Sequence, residues 1–187
     1  MIGKSHVLIA EQLYQTLDSE DHLWLSKTAF IKGSTKPDSL MYRFKGRHTI
    51  EESLEYVDTL IYDILESYKP RHYLGHFMGE LIHFFTDYAV AYHSNPNYNY
   101  MYVHPKHLMY EVKLHSLLKK TLVCFEGFSE MTLDNYQDVL LEYVKVRHQG
   151  NYDPTQDVID AFQLSFRIFH LVFQAYKDKF LEEEARN

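Results

Sequence analysis

Two short stretches combine imidazoles and carboxylates at helical spacing. HFFTDYAVAYH sets His83 and Asp87 four residues apart, with His93 six further on, and HLMYE sets His107 four before Glu111. On a helix, residues i and i+4 lie one above the other on the same face. Such a pair can aim two ligand atoms at one ion, as the two histidines of an HExxH helix do for zinc. His6 near the start, and Asp38 and His48 in between, are further metal-capable side chains. Close ions bridged by a carboxylate polarise a phosphoryl oxygen, lower the pKa of a bound water and stabilise a leaving oxygen. Imidazole and carboxylate donors suit zinc, and do not exclude Fe, Mn, Co or Ni. One HxxxD pair alone is more often a helix-face hydrogen bond. Two pairs, a histidine between them and an upstream KPD are much rarer by chance.

The ordered set His6, KPD ending at Asp38, His48, HFFTDYAVAYH and HLMYE resembles the zinc-dependent phospholipase C family, whose fold the S1/P1-type nucleases share. The pattern H…D…H…HxxxDx5H…HxxxE is present in order. The resemblance implies an all-α domain holding two or three zinc ions. It assigns Asp38, His48, His83 and Asp87 to one ion. Asp87 then bridges to a second that also takes His6, and His93, His107 and Glu111 hold a third. Asp38 is a ligand or the general base on the attacking water. Secreted members complete the second site with the amine and carbonyl of an N-terminal Trp freed by signal cleavage. This chain starts with Met1 and shows no signal peptide, so the His6 site is expected to be the weakest, completed by water or empty.

These ligands need helices to hold them, and the chain reads as mostly helical. Seven Gly and five Pro cluster between periodic segments. Ser5 is a plausible N-cap for a first helix, and a second covers about 22–31. Residues 32–48 form a loop. Thr49 and Glu52 make a capping box for a helix over 49–68. Pro70 opens a central helix running to about 93, at whose end His93 can turn its ring to a different point. A polar, Tyr-rich loop over 94–105 leads to helices at about 105–125, 133–149 and 157–184. No segment sustains period-two alternation, so a sheet is not expected. The expected fold class is all-α, with one multi-helix domain over 1–187.

Composition closes off several classes. Hydrophobic residues make up 45% and aromatic residues 16%, which excludes disorder and favours a dense interior. The formal net charge of -7, without a basic run, gives no nucleic-acid footprint. Twelve histidines are about three times the usual share. Cys124 is the only cysteine, so no intramolecular disulfide forms; with no leader or transmembrane run, a cytoplasmic location is expected. His72 and His76 could contact substrate or support ligands, although solvated or core roles suit them better. His104 rivals His107 as a ligand. His22, His115, His148 and His170 have no partner spacing. Tyr98, Tyr100 and Tyr102 could rim a pocket or simply anchor a surface loop.

Two rival metal classes fit poorly. Glu80 and His83 form an ExxH, but a di-iron bundle needs a second ExxH, and Glu111 to His115 is one residue too long. An HD-type phosphohydrolase needs adjacent His-Asp, and only the reversed Asp21-His22 occurs. The resemblance implies metal-dependent hydrolysis of a phosphate ester, phospholipid among the candidates, by a phospholipase C-like enzyme. The alternatives are a nuclease or nucleotide phosphatase on the same fold, and a non-catalytic, metal-stabilised helical binding protein. No lipid-docking amphipathic helix is evident in the sequence.

Overall fold

The computed structural model describes residues 1, 3–39, 49–94, 105–120, 127–148 and 153–186. These residues form nine helices and no strand: α1 Gly3–Gln15, α2 Asp21–Trp24, α3 Lys27–Thr35, α4 Ile50–Glu66, α5 Arg71–Tyr88, α6 Ala91–Ser94, α7 Pro105–Leu118, α8 Tyr136–His148 and α9 Pro154–Arg186. The all-α expectation holds. His48, His104, Cys124 and the Tyr98, Tyr100 and Tyr102 loop lie outside the described residues.

The centre of the fold is α5, packed by α3, α4 and α9. Every residue over 78–88 is buried, as expected of a helix covered all round. Phe84, Phe85 and Tyr88 from α5 meet Phe162, Phe169 and Phe173 from α9 and Phe30 from α3 in one core. Phe30 and Phe169 sit 5.2 Å apart between ring centroids.

Glycine lets α3 and α5 approach to backbone contact. A Cβ added at Gly79 would strike the Phe30 carbonyl and lie 2.8 Å from the Ser34 nitrogen and 3.0 Å from the Cα of Gly33. Only a residue without a side chain permits that approach. It brings the end of α3 against the middle of α5, where His83 sits.

Several element boundaries differ from the sequence expectation. The second helix is split. Leu25 is extended, and Ser26 caps α3 by accepting from the Ala29 amide at 3.5 Å. The first helix begins two residues before Ser5. At the start of α4 the expected capping box is not made by Thr49. Its side chain makes no cap bond, and its buried Oγ1 has no hydrogen-bond partner among the described residues. The Thr49 carbonyl instead accepts from the Ser53 hydroxyl at 2.6 Å, which carries the turn. The central helix stops at Tyr88, and α6 starts after a two-residue break.

Candidate metal centre

That break sorts the ligand candidates. His83 and Asp87 share one face of α5, and the short α6 turns His93 back toward them. Val90 N–H donates to the Asp87 carbonyl and His93 N–H to the Val90 carbonyl, each at 2.9 Å, so the corner is tightly tied. α1 supplies His6, whose ring stacks on His83 at 4.0 Å between centroids. α7 supplies His107 and Glu111 from its inner face.

The side chains collect into two groups, each with its ligand atoms within 4.8 Å of one another: His6, His83 and Asp87, and then His93, His107 and Glu111. Asp87 joins them. Its Oδ1 lies 3.4 Å from His6 Nε2, and its Oδ2 lies 3.3 Å from His83 Nε2 and 3.9 Å from His93 Nδ1. In the second group, Glu111 Oε1 is 2.9 Å from His107 Nε2 and 3.3 Å from His93 Nε2. Asp38 stands beside the first group, its Oδ1 3.7 Å from His83 Nε2. It is about one-third exposed, at 32%, while Asp87 is wholly buried.

Sequence reasoning gave no reason for Met1 to be drawn in, yet it is buried here. Its amine donates to Asp87 Oδ1 and lies 3.1 Å from His93 Nε2 and 3.3 Å from Glu111 Oε1. Its carbonyl is 3.1 Å from His6 Nε2. A backbone amine and carbonyl therefore sit between the two groups, and no side-chain motif could have signalled them.

The electrostatics follow from burial and mutual proximity. Burial would raise the Asp87 carboxyl, but His93, the Met1 amine, His6 and His83 hold it well below the usual range. Glu111 is likewise held low against burial by the Met1 amine, His107 and His93. Burial, then His83, pushes His6 down to about 4. Burial also lowers His93. Burial works against a charged His83 too, but Asp87 outweighs it and raises this imidazole. Burial opposes the charged Met1 amine, yet Asp87, Glu111 and Asp38 raise it to about 10.

The donor set fits a metal. His83 Nδ1–H donates to the Ser34 carbonyl at 2.8 Å, which leaves the Nε2 lone pair aimed at the Asp87 side. That carbonyl is held there by the Gly33–Gly79 contact. His6 Nδ1 is buried without a hydrogen-bond partner among the described residues. Two ionised carboxylates and several imidazoles without an arginine or lysine among them make a site that a cation would complete.

A second polar cluster, unmarked by any motif, supports the His93 group from behind. Asp157 on α9 is wholly buried. It accepts from the Ala91 amide at 2.9 Å and the Tyr110 hydroxyl at 2.6 Å, and pairs with Arg147. One carboxylate thereby ties the start of α6, which carries His93, to α7, which carries His107 and Glu111. Asp160 extends the cluster by accepting from Tyr143 at 2.8 Å. No sequence signal flags Asp157, because its partners lie far from it along the chain.

The remaining candidates sit elsewhere. Glu80 of the ExxH bonds to Tyr56 and faces Lys36, outside both groups. His72 is exposed, and His76 is partly buried near Lys36. His22 stacks on Tyr14, His115 meets Ser5, and His170 meets Thr16. A cavity of about 610 Å³ lies along α8 and is lined by Asp138, Val139, Glu142 and Tyr143 rather than by any ligand candidate.

The family model described as zinc dependent phospholipase C matches residues 5–178. No curated protein and no solved structure matches the chain. No helix among the described residues is long and apolar enough to cross a membrane. With a match that begins in α1 and ends well into α9, on an all-helical fold with two buried His–carboxylate groups, the chain belongs to the zinc-dependent phospholipase C family.

Proposed function

We propose that this chain hydrolyses a phosphate diester at a multinuclear zinc centre built around Asp87. The observation that carries the reading is the division of the Asp87 carboxylate. One oxygen faces His6 and the Met1 amine, while the other faces His83 and His93. A carboxylate so placed suits bridging two ions. In this reading His83, Asp87 and Asp38, with His48 from outside the described residues, would hold one ion, His6, Asp87 and the Met1 amine and carbonyl a second, and His93, His107 and Glu111 a third. When bound, zinc supplies Lewis acidity, polarising the phosphoryl oxygen and making water nucleophilic near neutral pH.

The protein's own groups do the rest. His6 and His93, whose pKa values burial lowers, offer lone pairs without first losing a proton, and His83 gives up its proton as an ion binds. The Ser34 carbonyl holds His83 in the tautomer that presents Nε2. In this reading Asp38, partly exposed beside His83, takes the proton of the attacking water as its oxygen bonds to phosphorus and the ester P–O bond breaks. The leaving alkoxide is protonated from solvent.

Metal analysis of purified protein, with a panel of phosphodiesters and phosphomonoesters, tests this. Wild type should carry transition metal and turn over at least one diester, and Asp87→Ala should lose both. Absence of bound metal after mild purification would sink the centre. Full metal occupancy without turnover would favour the metal-stabilised binding protein instead, and preference for a nucleotide ester would move the substrate class.

A further inference from the structure

α7 has two faces of opposite character. The inner line, His107, Glu111, Leu114 and Leu118, runs at i, i+4, i+7 and i+11 and turns into the protein. On the outer side, Leu108, Met109 and Val112 are exposed by 59%, 72% and 55%. Three adjacent large apolar side chains at that exposure are unusual for a surface helix rich in lysine. Toward the other end the same outer stripes continue as Lys113, His115, Lys119 and Lys120. α1 adds Lys4 across a shallow groove of about 260 Å³ whose walls include Val7 and Leu8.

The charge of this face runs against that of the chain. The protein carries -7 overall, but the outer side of α7 and the turn after it present lysines and no carboxylate. Glu111, the one acidic residue of α7, is turned inward onto His107. The positive field is felt locally: burial first, then Lys119 and Lys4, lower the His115 pKa. Apolar residues on α7 beside lysines drawn from α7, the turn after it and α1 match an anionic interface, with the apolar side chains entering the acyl boundary and the lysines meeting headgroups.

We infer that the outer face of α7, with Lys4 of α1, docks on the surface of an anionic phospholipid bilayer. The ligand-bearing face of the same helix then lies within about 10–12 Å of the bilayer, one helix diameter. The inference deepens the hydrolase reading by naming the surface on which the centre works, and it rests on that reading only for the chemistry. The sequence hides this face because the apolar residues of α7 are shared between inner and outer sides, so no single amphipathic stripe stands out.

Sedimentation of the full-length, metal-loaded protein with vesicles tests it. Phosphatidylcholine vesicles are compared with equimolar phosphatidylserine–phosphatidylcholine vesicles at low and high salt. Wild type should pellet with the anionic vesicles, less with the neutral ones, and less in high salt. Lys113→Glu with Lys119→Glu should weaken the anionic partition by at least about fivefold per lysine. Leu108→Ser, Met109→Ser and Val112→Ser together should weaken it about tenfold or more. Both variants should keep wild-type turnover of a soluble aryl phosphodiester. Wild type that does not pellet, or variants that pellet equally, would overturn the docking. So would a wild-type dimer that the triple serine variant makes monomeric, since the face would then join two copies. Docking without turnover of any ester would leave this inference standing and remove the hydrolase reading; turnover without docking would do the reverse.

Discussion

Asp87, at the end of α5, and Asp157, which accepts from the Ala91 amide at the start of α6, are both wholly buried carboxylates, and they keep contrasting company. Asp87 is surrounded by His6, His83, His93 and the Met1 amine, all groups that can give a lone pair to a metal. Asp157 is surrounded by a backbone amide, a phenol and a guanidinium. None of these three binds a transition metal readily, and all three are hydrogen-bond donors that stay in place. A buried charge must be paired. Asp157 is paired for good by the fold, whereas the pairing of Asp87 is made of groups that can release a proton and take an ion. The difference separates a carboxylate whose partners an ion could replace from one fixed in position by the fold.

Removing each charge without changing shape tests that contrast most severely. Asp87→Asn should strip the two ions that share Asp87, raising their dissociation constants by about a thousandfold or more, since a direct bridging ligand is lost, and should spare the ion at His93, His107 and Glu111. Metal titration monitored by calorimetry reads this directly; a variant that still binds with wild-type affinity would erase the distinction.

Acid offers the next largest effect. In the chelated protein, His6 is depressed from 6.5 to about 4, and His93 is also lowered. The unfolded chain takes up these protons near its ordinary histidine pKa while the native protein does not. Stability is therefore full above about 6.5 and falls as pH drops toward 4. His83 is shifted the other way, stabilising the fold below its ordinary pKa and losing that contribution as pH rises through its raised value. Asp87 and Glu111 are depressed, so their contribution is lost further into acid. The histidine balance favours loss, on the order of 2–3 kcal/mol at most. Urea melts of chelated protein across this range should slope downward toward acid; a flat or rising profile would mean that the imidazoles are not buried neutral.

Asp157→Asn should act more gently and at one place. It leaves an acceptor for Ala91 and Tyr110 but leaves Arg147 only its longer pairing with Asp160, at 3.8 Å. Metal affinity at His93, His107 and Glu111 should fall by about 10–100-fold, as for removal of a group that orients ligands. The ion at His83 and Asp38 should be retained. Equal loss at all sites would make Asp157 a general stabiliser rather than a clamp for one group. Tyr110→Phe, which removes a single donor to Asp157, should cost about 1 kcal/mol in thermal stability and leave metal content unchanged.

The metal-capable side chains were the most legible part of the sequence, because i and i+4 on a helix fix a shared face whatever the tertiary packing does. The all-helical class was legible for the same reason. The corner between α5 and α6 was not, since Tyr88, Ala89, Val90 and Ala91 include no Gly or Pro to mark a break. The start of α4 carried a capping-box pattern, but Ser53 made the turn bond and left Thr49 buried. Met1 was not expected to complete the His6 site, because an amine and a carbonyl belong to every chain and no side-chain pattern marks these. Asp157 escaped notice because local patterns say nothing about a partner on another helix.

The position of Asp157 along the chain also orders assembly. His6, His83, Asp87, His93, His107 and Glu111 all precede α8, and Asp157 arrives only with the last helix. During synthesis from the N-terminus, every described ligand candidate leaves the ribosome before the residue that locks the α6–α7 corner. α9, which also brings Phe162, Phe169 and Phe173 to the core around α5, is thus the last element to become available to the centre.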